Sequence, residues 1–406
     1  MIDAVVEPDS GEDASGVPST GPGISQPVLA GLVSGLVGFT SSFAVVLTGL
    51  AAVGANPSQA ASALTVLSIT MGLGCLVFSW LHRMPITVAW STPGAALLAT
   101  AVAPQGGFAV AVGAFVVCGV LLALTGLVKP LGAAVRAIPA PLAQAMLAGV
   151  ILHLVAEPFA ALGARPWAIA PVLVVWLLML KLARRWAVPA ALLAAVVVMV
   201  VSGTFTGLSV DWALHLEWVT PRFDLAAVVA LALPLYIVTM TSQNIPGVAV
   251  LASFGYRPPV GPPLVYTGLA SVAGAFFGGH AINLAAISAA LAAGPEAHPD
   301  ARRRWIAGVS CGLTYVTFGV LSAAIVGVSA AAPQGLLAAV AGVALLGTFA
   351  SSAAGALKEN STREAAALTL VVAASGLAWG GIGAAFWALV IGLVFHTLMR
   401  THRRRA

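Results

Sequence analysis

The stretch PITVAWSTPGAALLATAVA, residues 85–103, changes character in the middle of an apolar region. Its first part, residues 86–90, is rich in β-branched side chains and favours an extended backbone. Ser91, Thr92 and Pro93 then form a helix start, because a hydroxyl caps free N–H groups and proline is tolerated in the first turn. The pattern predicts a half-helix that begins inside the membrane.

A second stretch, FFGGHAIN at residues 276–283, repeats this pattern later in the chain. An extended run again leads into a helix, with Asn283 as the expected capping residue. The surrounding uncharged region 258–295 must hold two crossings and their turn. Irregular backbone at this depth is tolerated only where protein buries it or where it lines a cavity. The alternative is that both stretches are proline or glycine kinks in ordinary helices.

The composition is typical of a membrane protein. Charged residues make up 8% of the chain and its mean hydropathy is +1.02, whereas a soluble domain has about 25% charged residues. Apolar runs divided by proline, glycine, asparagine and charges predict an all-α polytopic membrane protein with fourteen transmembrane segments. These segments are 28–51, 60–81, 86–103, 107–128, 137–156, 167–183, 187–207, 224–247, 260–275, 278–294, 305–329, 334–355, 364–379 and 382–399.

The basic residues fall on alternate connections of this topology. With a cytoplasmic N-terminus, only Arg165 and Arg222 of the eighteen Lys and Arg residues lie outside. The others are Arg83, Lys129, Arg136, Lys181, Arg184, Arg185, Arg257, Arg302, Arg303, Arg304, Lys358, Arg363, Arg400, Arg403, Arg404 and Arg405. The positive-inside rule then predicts an even number of spans with both termini cytoplasmic. Residues 1–26 are acidic and rich in Ser, Gly and Pro, which predicts a disordered cytoplasmic tail.

The two broken stretches occupy equivalent places in two halves of the chain. Each is the third of seven segments if the first half covers residues 27–210 and the second covers 223–400. Because seven is odd, the second half enters the membrane from the opposite side. We therefore expect a 7+7 inverted repeat with short extended stretches before half-helices 3 and 10. Matched breaks in inverted halves are typical of the midplane binding site of a transporter.

The two half-helix starts predict an anion site. Helix N-termini that face each other present free N–H groups and the positive ends of two helix dipoles. We expect the backbone amides and polar side chains of both stretches to hold a carboxylate. The candidate residues are Ser91, Thr92, Pro93, Gly94, Ile282 and Asn283.

Segment 8 carries a further polar cluster, YIVTMTSQN at residues 236–244. Tyr236, Gln243 and Asn244 are candidates for substrate contacts, since buried amides need partners. A helix–helix contact lined by hydroxyl side chains is the alternative. In segment 1, Phe39 and a second ring four residues later could sandwich a flat apolar ligand, or could simply pack in the core.

Three ionisable side chains lie well inside the predicted spans: His153, Glu157 and His280. His280 stands beside the second break and titrates near neutral pH, which makes it the first candidate for proton coupling. A neutral core histidine is the alternative. His153 and Glu157 share a helix face and are the second candidates, although Glu157 and Pro158 also fit a helix end at the outer interface.

Four motifs together resemble the BenE family of benzoate:proton symporters. They are ISQP with GFTSS within 24–42, PITVAWSTPGA at 85–95, TSQNIPG with GY within 241–256, and GGHAINLAA at 278–286. The resemblance covers nearly the whole chain and implies proton-driven uptake of benzoate or a similar aromatic carboxylate across the bacterial inner membrane. It also implies a core domain of segments 1–4 and 8–11 and a gate domain of segments 5–7 and 12–14.

A nucleobase or other small-anion permease and an uncoupled anion channel remain alternatives. Related nucleobase permeases carry a carboxylate where Gln243 stands, and this departure argues against a neutral nucleobase. We expect no enzyme, cofactor or metal site, because the motifs for such chemistry are missing. The basic balance reflects topology, so no nucleic-acid partner is expected. The expected partners are an aromatic carboxylate, protons and membrane lipid, and a homodimer stays open.

Overall fold

The computed structural model describes residues 23–205, 212–380 and 382–403. Most of the predicted tail 1–26 therefore lies outside the described residues, as do Arg404 and Arg405 and the side chains of Lys129, Arg136, Arg400 and Arg403. The helices are α1 (Ser25–Thr40), α2 (Phe43–Ala52), α3 (Pro57–His82), α4 (Thr92–Ala99), α5 (Phe108–Leu127), α6 (Lys129–Ala137), α7 (Ala140–Ala164), α8 (Pro166–Leu182), α9 (Ala187–Val201), α10 (Leu225–Ala227), α11 (Leu233–Thr239), α12 (Ile245–Ser253), α13 (Gly261–Ala275), α14 (Ile287–Ala293), α15 (Trp305–Val320), α16 (Ser322–Ala330), α17 (Leu336–Leu357), α18 (Arg363–Ala374) and α19 (Ala384–Arg403). The strands are β1 (Val88–Trp90) and β2 (Ile282–Leu284).

Long apolar helices confirm an all-α multi-span membrane protein. Among the described residues, seven helices are long and apolar enough to cross a membrane. An eighth span results if Ala301–Val320 and Ser322–Ala330, which meet at a 58° bend, form one crossing. Large apolar side chains such as Leu178, Leu193 and Leu398 are exposed on the surface, as lipid-facing residues are.

Both predicted breaks are present in the structure. Strand β1 precedes the eight-residue helix α4, and strand β2 precedes the seven-residue helix α14. One detail of the prediction is wrong: Asn283 does not cap the second half-helix. It lies within β2, and the residue before α14 is Ala286, which makes no capping side-chain bond. The strand pairing, which is not a local signal, keeps Asn283 in the extended conformation.

Segment 1 is interrupted rather than continuous. The single helix expected over residues 28–51 is divided into α1 and α2 by Ser41 and Ser42. Both hydroxyls donate to the carbonyl of Gly38, at 3.2 and 3.3 Å. The indole Nε1 of Trp90 donates to Ser42 Oγ at 2.8 Å. Side chains therefore replace part of the helical hydrogen bonding at this point.

Segment 8 is longer than predicted and contains two π turns. Helices α10, α11 and α12 form one run from Leu225 to Ser253, interrupted by π turns at Val228–Ala232 and Met240–Asn244. Such turns frequently mark functional sites, because they redirect side chains and free backbone groups. The second π turn contains Gln243 and Asn244.

The helix end expected at Glu157 and Pro158 is wrong, because α7 continues through both to Ala164. Proline cannot donate to the carbonyl of Leu154, so that oxygen loses its helical partner. Gly342 of α17 packs against this point: a Cβ on Gly342 would collide with both Leu154 O and the ring of Pro158. The close helix contact accommodates the proline without ending the helix.

The apolar core has two parts that matter for the site. The larger cluster surrounds the β1–β2 pair with residues from α2, α3, α4, α5 and α11. A second cluster joins α8 and α9 to the first half of α17. Helices α5 and α13 approach most closely at Gly268, where a Cβ would collide with the backbone of Ala123. Small residues at such contacts are typical of membrane helix packing.

Candidate functional site

The extended runs of the two broken segments pair with each other. Strands β1 and β2 are antiparallel. The facing residues are Val88 with Leu284, Ala89 with Asn283, and Trp90 with Ile282. The ladder continues at both ends, because Ser91 N–H donates to Ala281 O and Ala285 N–H donates to Thr87 O, both at 2.9 Å. Two segments distant in sequence thus satisfy each other's backbone groups inside the protein.

Side chains from neighbouring helices satisfy the outer edge of β2. Ser271 Oγ accepts a hydrogen bond from Ile282 N–H at 2.9 Å, and Asn244 Oδ1 accepts one from Leu284 N–H at 2.9 Å. These two amides therefore have protein partners and are not presented to a ligand in this structure. Asn244 thereby contacts the strand and not the cavity.

The outer edge of β1 is held by α3. Cys75 Sγ accepts from Val88 N–H at 3.1 Å and lies 3.3 Å from Val88 O. Ser79 Oγ donates to Ile86 O at 2.9 Å. The Cys75 thiol and the Ser79 hydroxyl thus satisfy backbone groups at the outer edge of β1, as Ser271 does at the outer edge of β2.

The start of α4 is organised by the residue predicted to cap it. Ser91 Oγ accepts from Gly94 N–H at 3.2 Å, which confirms the capping role. The same oxygen lies 2.8 Å from Thr239 Oγ1 of α11. With its side-chain amide oriented to satisfy both atoms, Asn283 also accepts from Ser91 N–H at 3.0 Å. Both breaks are therefore connected at Ser91.

A cavity of about 230 Å³ lies between the starts of the two half-helices. Thr92 lines it from α4, and residues 285–288 line it at the start of α14. Gln243 lines it from the second π turn. Other polar side chains at its wall are Ser41, Ser42, Tyr315, Thr348, Arg184 and Arg185.

Among the described residues, the cavity wall carries positive but no negative side chains. Its charged lining residues are Arg184 and Arg185, from the connection between α8 and α9. Arg185 Nη1 forms an exposed ion pair with Glu296 Oε2 at 3.0 Å. Glu296 stands outside the lining, in the connection after α14. An anion in the cavity would meet guanidinium, hydroxyl and amide groups, and no lining carboxylate would repel it.

Of the predicted binding residues, only Thr92 and Gln243 line this cavity. Pro93 and Gly94 are buried within α4, where a Cβ on Gly94 would collide with Leu235. Tyr236 is buried, and its hydroxyl bonds to Thr125 on α5. Tyr315 and Thr348 also line the cavity and were not predicted, because nothing local distinguishes a cavity-lining hydroxyl from one inside a helix contact.

Phe39 belongs to an aromatic cluster beside the cavity. Its ring stacks on Phe43 with centroids 5.7 Å apart, on Phe318 at 4.3 Å, and meets Trp90 at 5.1 Å. The idea that Phe39 and Phe43 sandwich a ligand is wrong for this structure, because the two rings contact each other. Phe39 instead borders a separate apolar cavity of about 380 Å³ between α1, α9, α15 and α16.

His280 is fully buried next to the sheet and does not line the cavity. Its Nδ1 lies 3.0 Å from Ala281 O, the same carbonyl that accepts from Ser91 N–H. Its Nε2 has no hydrogen-bond partner among the described residues. The imidazole packs edge-on against the ring of Phe115, with the two ring centroids 6.4 Å apart.

His153 and Glu157 lie on α7, and both are exposed. His153 Nε2 lies 2.8 Å from Ala374 O. The histidine borders a cavity of about 240 Å³ at the C-terminal end of α4, away from its start. Within the described ranges, no group of three or more His, Cys, Asp or Glu side chains is placed to hold a metal ion.

Comparison with solved structures shows the fold. The chain aligns with SLC26A9 at a TM-score of 0.64 and 12% sequence identity, covering 94% of this chain and 66% of that one. It aligns with the transmembrane domain of the cyanobacterial bicarbonate transporter BicA at a TM-score of 0.59 and 15% identity, covering 87% and 97%.

Comparison with known sequences shows the family. The chain is 38% identical to the inner membrane protein YdcO of Escherichia coli over 374 residues, which are 92% of this chain and 95% of that protein. It is 29% identical to the benzoate membrane transport protein of Acinetobacter baylyi over 372 residues, 91% and 94% of the two chains. The profile of the BenE benzoate membrane transport proteins matches residues 24–398. The resemblance seen in the motifs is confirmed, and the chain belongs to the BenE family of membrane transport proteins.

Proposed function

We propose that this protein imports benzoate or a related aromatic carboxylate together with protons, by alternating access. The observation that carries the proposal is the cavity between the two half-helix starts, which has donor groups and no lining acid. Membership of the BenE family and the Acinetobacter relative support an aromatic carboxylate as the substrate class.

Substrate binding would use the donors of the cavity wall. Thr92 stands in the first turn of α4, where free N–H groups and the helix dipole favour an anion. The Gln243 amide and the Thr92 hydroxyl donate hydrogen bonds without carrying a charge that would hold the anion too tightly for release. Arg184 and Arg185 attract it toward the cavity from the side that we assign to the cytoplasm.

The proposed architecture is the 7+7 inverted repeat over residues 27–210 and 223–400. Strands β1 and β2 are the extended parts of the third and tenth segments, and their antiparallel register suits two halves of opposite orientation. Alternating access follows if segments 1–4 and 8–11 move against segments 5–7 and 12–14. The cavity supports this division, since α1, α4 and α15 line it from one group and α9 and α17 from the other.

Location follows the charge pattern and the relatives. We assign the chain to the bacterial inner membrane with both termini in the cytoplasm, which agrees with the positive-inside rule and the name of the Escherichia coli relative. The part of the cavity wall formed by the exposed Arg184 and Arg185 would then face the cytoplasm.

Proton coupling is assigned first to His280. With Nδ1–H donating to Ala281 O, the buried Nε2 is a free proton acceptor. Protonation would place a charge next to the carbonyl that holds Ser91, and so next to the start of α4. A bound carboxylate would favour that charge, which links the two binding events. His153 and Glu157 are the second candidates for the proton-coupling group, because both are exposed and lie away from the cavity between the half-helix starts.

Transport of benzoate is tested directly in proteoliposomes. We expect a saturable component of radiolabelled benzoate uptake that an inward proton gradient accelerates and that unlabelled benzoate inhibits. Protein-free liposomes control for diffusion of the neutral acid, which does not saturate. Saturable uptake of uracil or bicarbonate without benzoate would overturn the proposed substrate, and a gradient-independent current far above carrier turnover would indicate a channel.

Gln243→Glu should weaken benzoate transport in a pH-dependent way. The new carboxylate is ionised at high pH and repels the substrate anion, whereas its neutral form at low pH does not. We expect the apparent KM to rise about tenfold at pH 8, on the order of one water-screened charge contact, and about twofold or less at pH 5.5. Gln243→Met is the matched control, and its effect should not depend on pH. A pH-independent effect of Gln243→Glu would mean that Gln243 is structural.

His280→Gln should separate transport from coupling. The glutamine cannot take up a proton, so the saturable rate should lose its stimulation by the proton gradient. Counterflow of labelled benzoate at equal pH on both sides should persist, because the cavity wall is unchanged. His153→Gln and Glu157→Gln should keep the stimulation. If His280→Gln keeps it and either α7 variant loses it, the coupling group lies on α7.

A further inference from the structure

We propose that the Tyr315 hydroxyl is a direct hydrogen-bond donor to the carboxylate of the transported anion. The inference deepens the proposed function and rests on it, since it assigns a specificity-determining contact within the same cavity. Tyr315 lies on α15 and lines the cavity together with Gly38, Gln243 and Ser288.

The first observation is an unused hydroxyl. The Tyr315 side chain is 1% exposed, and its Oη forms no hydrogen bond of acceptable geometry with the described residues, although the side chains of Ser288 and Cys311 lie beside it. Buried polar groups in proteins are almost always bonded, because leaving one unbonded costs the full desolvation of the group. An unbonded hydroxyl at a cavity wall is therefore a donor whose partner enters from the cavity.

The other tyrosines show that the chain normally satisfies this group. The chain has four tyrosines. Tyr236 bonds to Thr125, Tyr256 donates to Ala301 O at 2.8 Å, and Tyr266 donates to Thr70 O at 2.7 Å. Tyr315, the one that lines the cavity, is also the one without a bond.

The backbone leaves room for this hydroxyl. Gly38 faces Tyr315, and a Cβ on Gly38 would collide with Oη. Gly38 also stands one turn before the interruption between α1 and α2, and its carbonyl accepts from Ser41 and Ser42. Glycine at this position thus keeps a space around Oη while the carbonyl of Gly38 is used elsewhere.

A carboxylate fits the donor better than a neutral aromatic ligand does. It offers acceptors only, and an O–H donor to an ionised oxygen forms a short, strong bond. With Thr92, Gln243 and Tyr315 on the wall, an anion would be bound by neutral donors from α4, the second π turn and α15. The aromatic body of the ligand would then lie against the apolar part of the wall, which includes Met71 and Val188.

Tyr315→Phe tests the inference with two independent readouts. The variant removes only an oxygen that bonds to no described group, so the melting temperature without ligand should stay the same or rise. Benzoate affinity, measured by the ligand-dependent shift of the melting temperature, should fall about tenfold or more, as for a lost bond to a charged group. Affinity for benzamide, which lacks the charge, should change much less.

Tyr266→Phe is the control, because it removes a partly buried tyrosine hydroxyl that bonds to Thr70 O outside the cavity. It should lower the melting temperature and change benzoate affinity less than about twofold. A lower melting temperature of Tyr315→Phe would overturn the inference, since it would show an internal partner for the hydroxyl. If benzoate shifts the melting temperature of the wild type and the affinity of Tyr315→Phe is unchanged, the inference about Tyr315 is overturned while the proposed function stands. A wild type that binds no benzoate would overturn the proposed function first and the inference with it.

Discussion

Backbone N–H and C=O groups in a membrane interior need partners inside the protein, and this constraint organises the centre of the molecule. Two segments give up helical hydrogen bonding where β1 and β2 run extended. They regain it by pairing with each other in an antiparallel ladder. Side chains of α3, α13 and the second π turn then satisfy the groups that point away from the ladder. Helices α3 and α13 and the second π turn are thus all tied to one two-stranded sheet.

The pairing of β1 with β2 determines where the cavity lies. Because the strands are antiparallel and end at Trp90 and Leu284, the chain leaves the short sheet toward the two half-helices at opposite ends. The space between these starts is lined by donors, while the sheet amides themselves are already bonded. The proposed substrate would therefore be bound at the starts of the half-helices and by side chains around them. Arg185, which lines this space, forms an exposed ion pair with Glu296, and exposed ion pairs contribute little to stability.

Local signals in the sequence predicted where the two segments are broken, but not which distant residues the broken segments contact. Ser91 was identifiable as a cap because its hydroxyl bonds to a backbone N–H only a few residues later, and a proline in the first turn marks the same helix start. Asn283 was misassigned because its conformation depends on β1, which is distant in the chain and invisible to a local pattern. Tyr315 could not be found for the same reason, since its neighbour Gly38 belongs to another segment. The arginine run at 302–304 was assigned a role in topology alone, yet Arg304 is also structural: it is buried and donates to the carbonyls of Ala293, His298 and Pro299.

The position of a bound substrate tests the central claim most directly. A structure determined with 4-iodobenzoate would locate the ligand by the anomalous signal of iodine. We expect one site in the cavity between the starts of α4 and α14, with the carboxylate within hydrogen-bond distance of Thr92, Gln243 or Tyr315. Iodine in the apolar cavity beside Phe39 instead, with the central cavity empty at saturating ligand, would contradict the claim that the paired half-helices form the anion site.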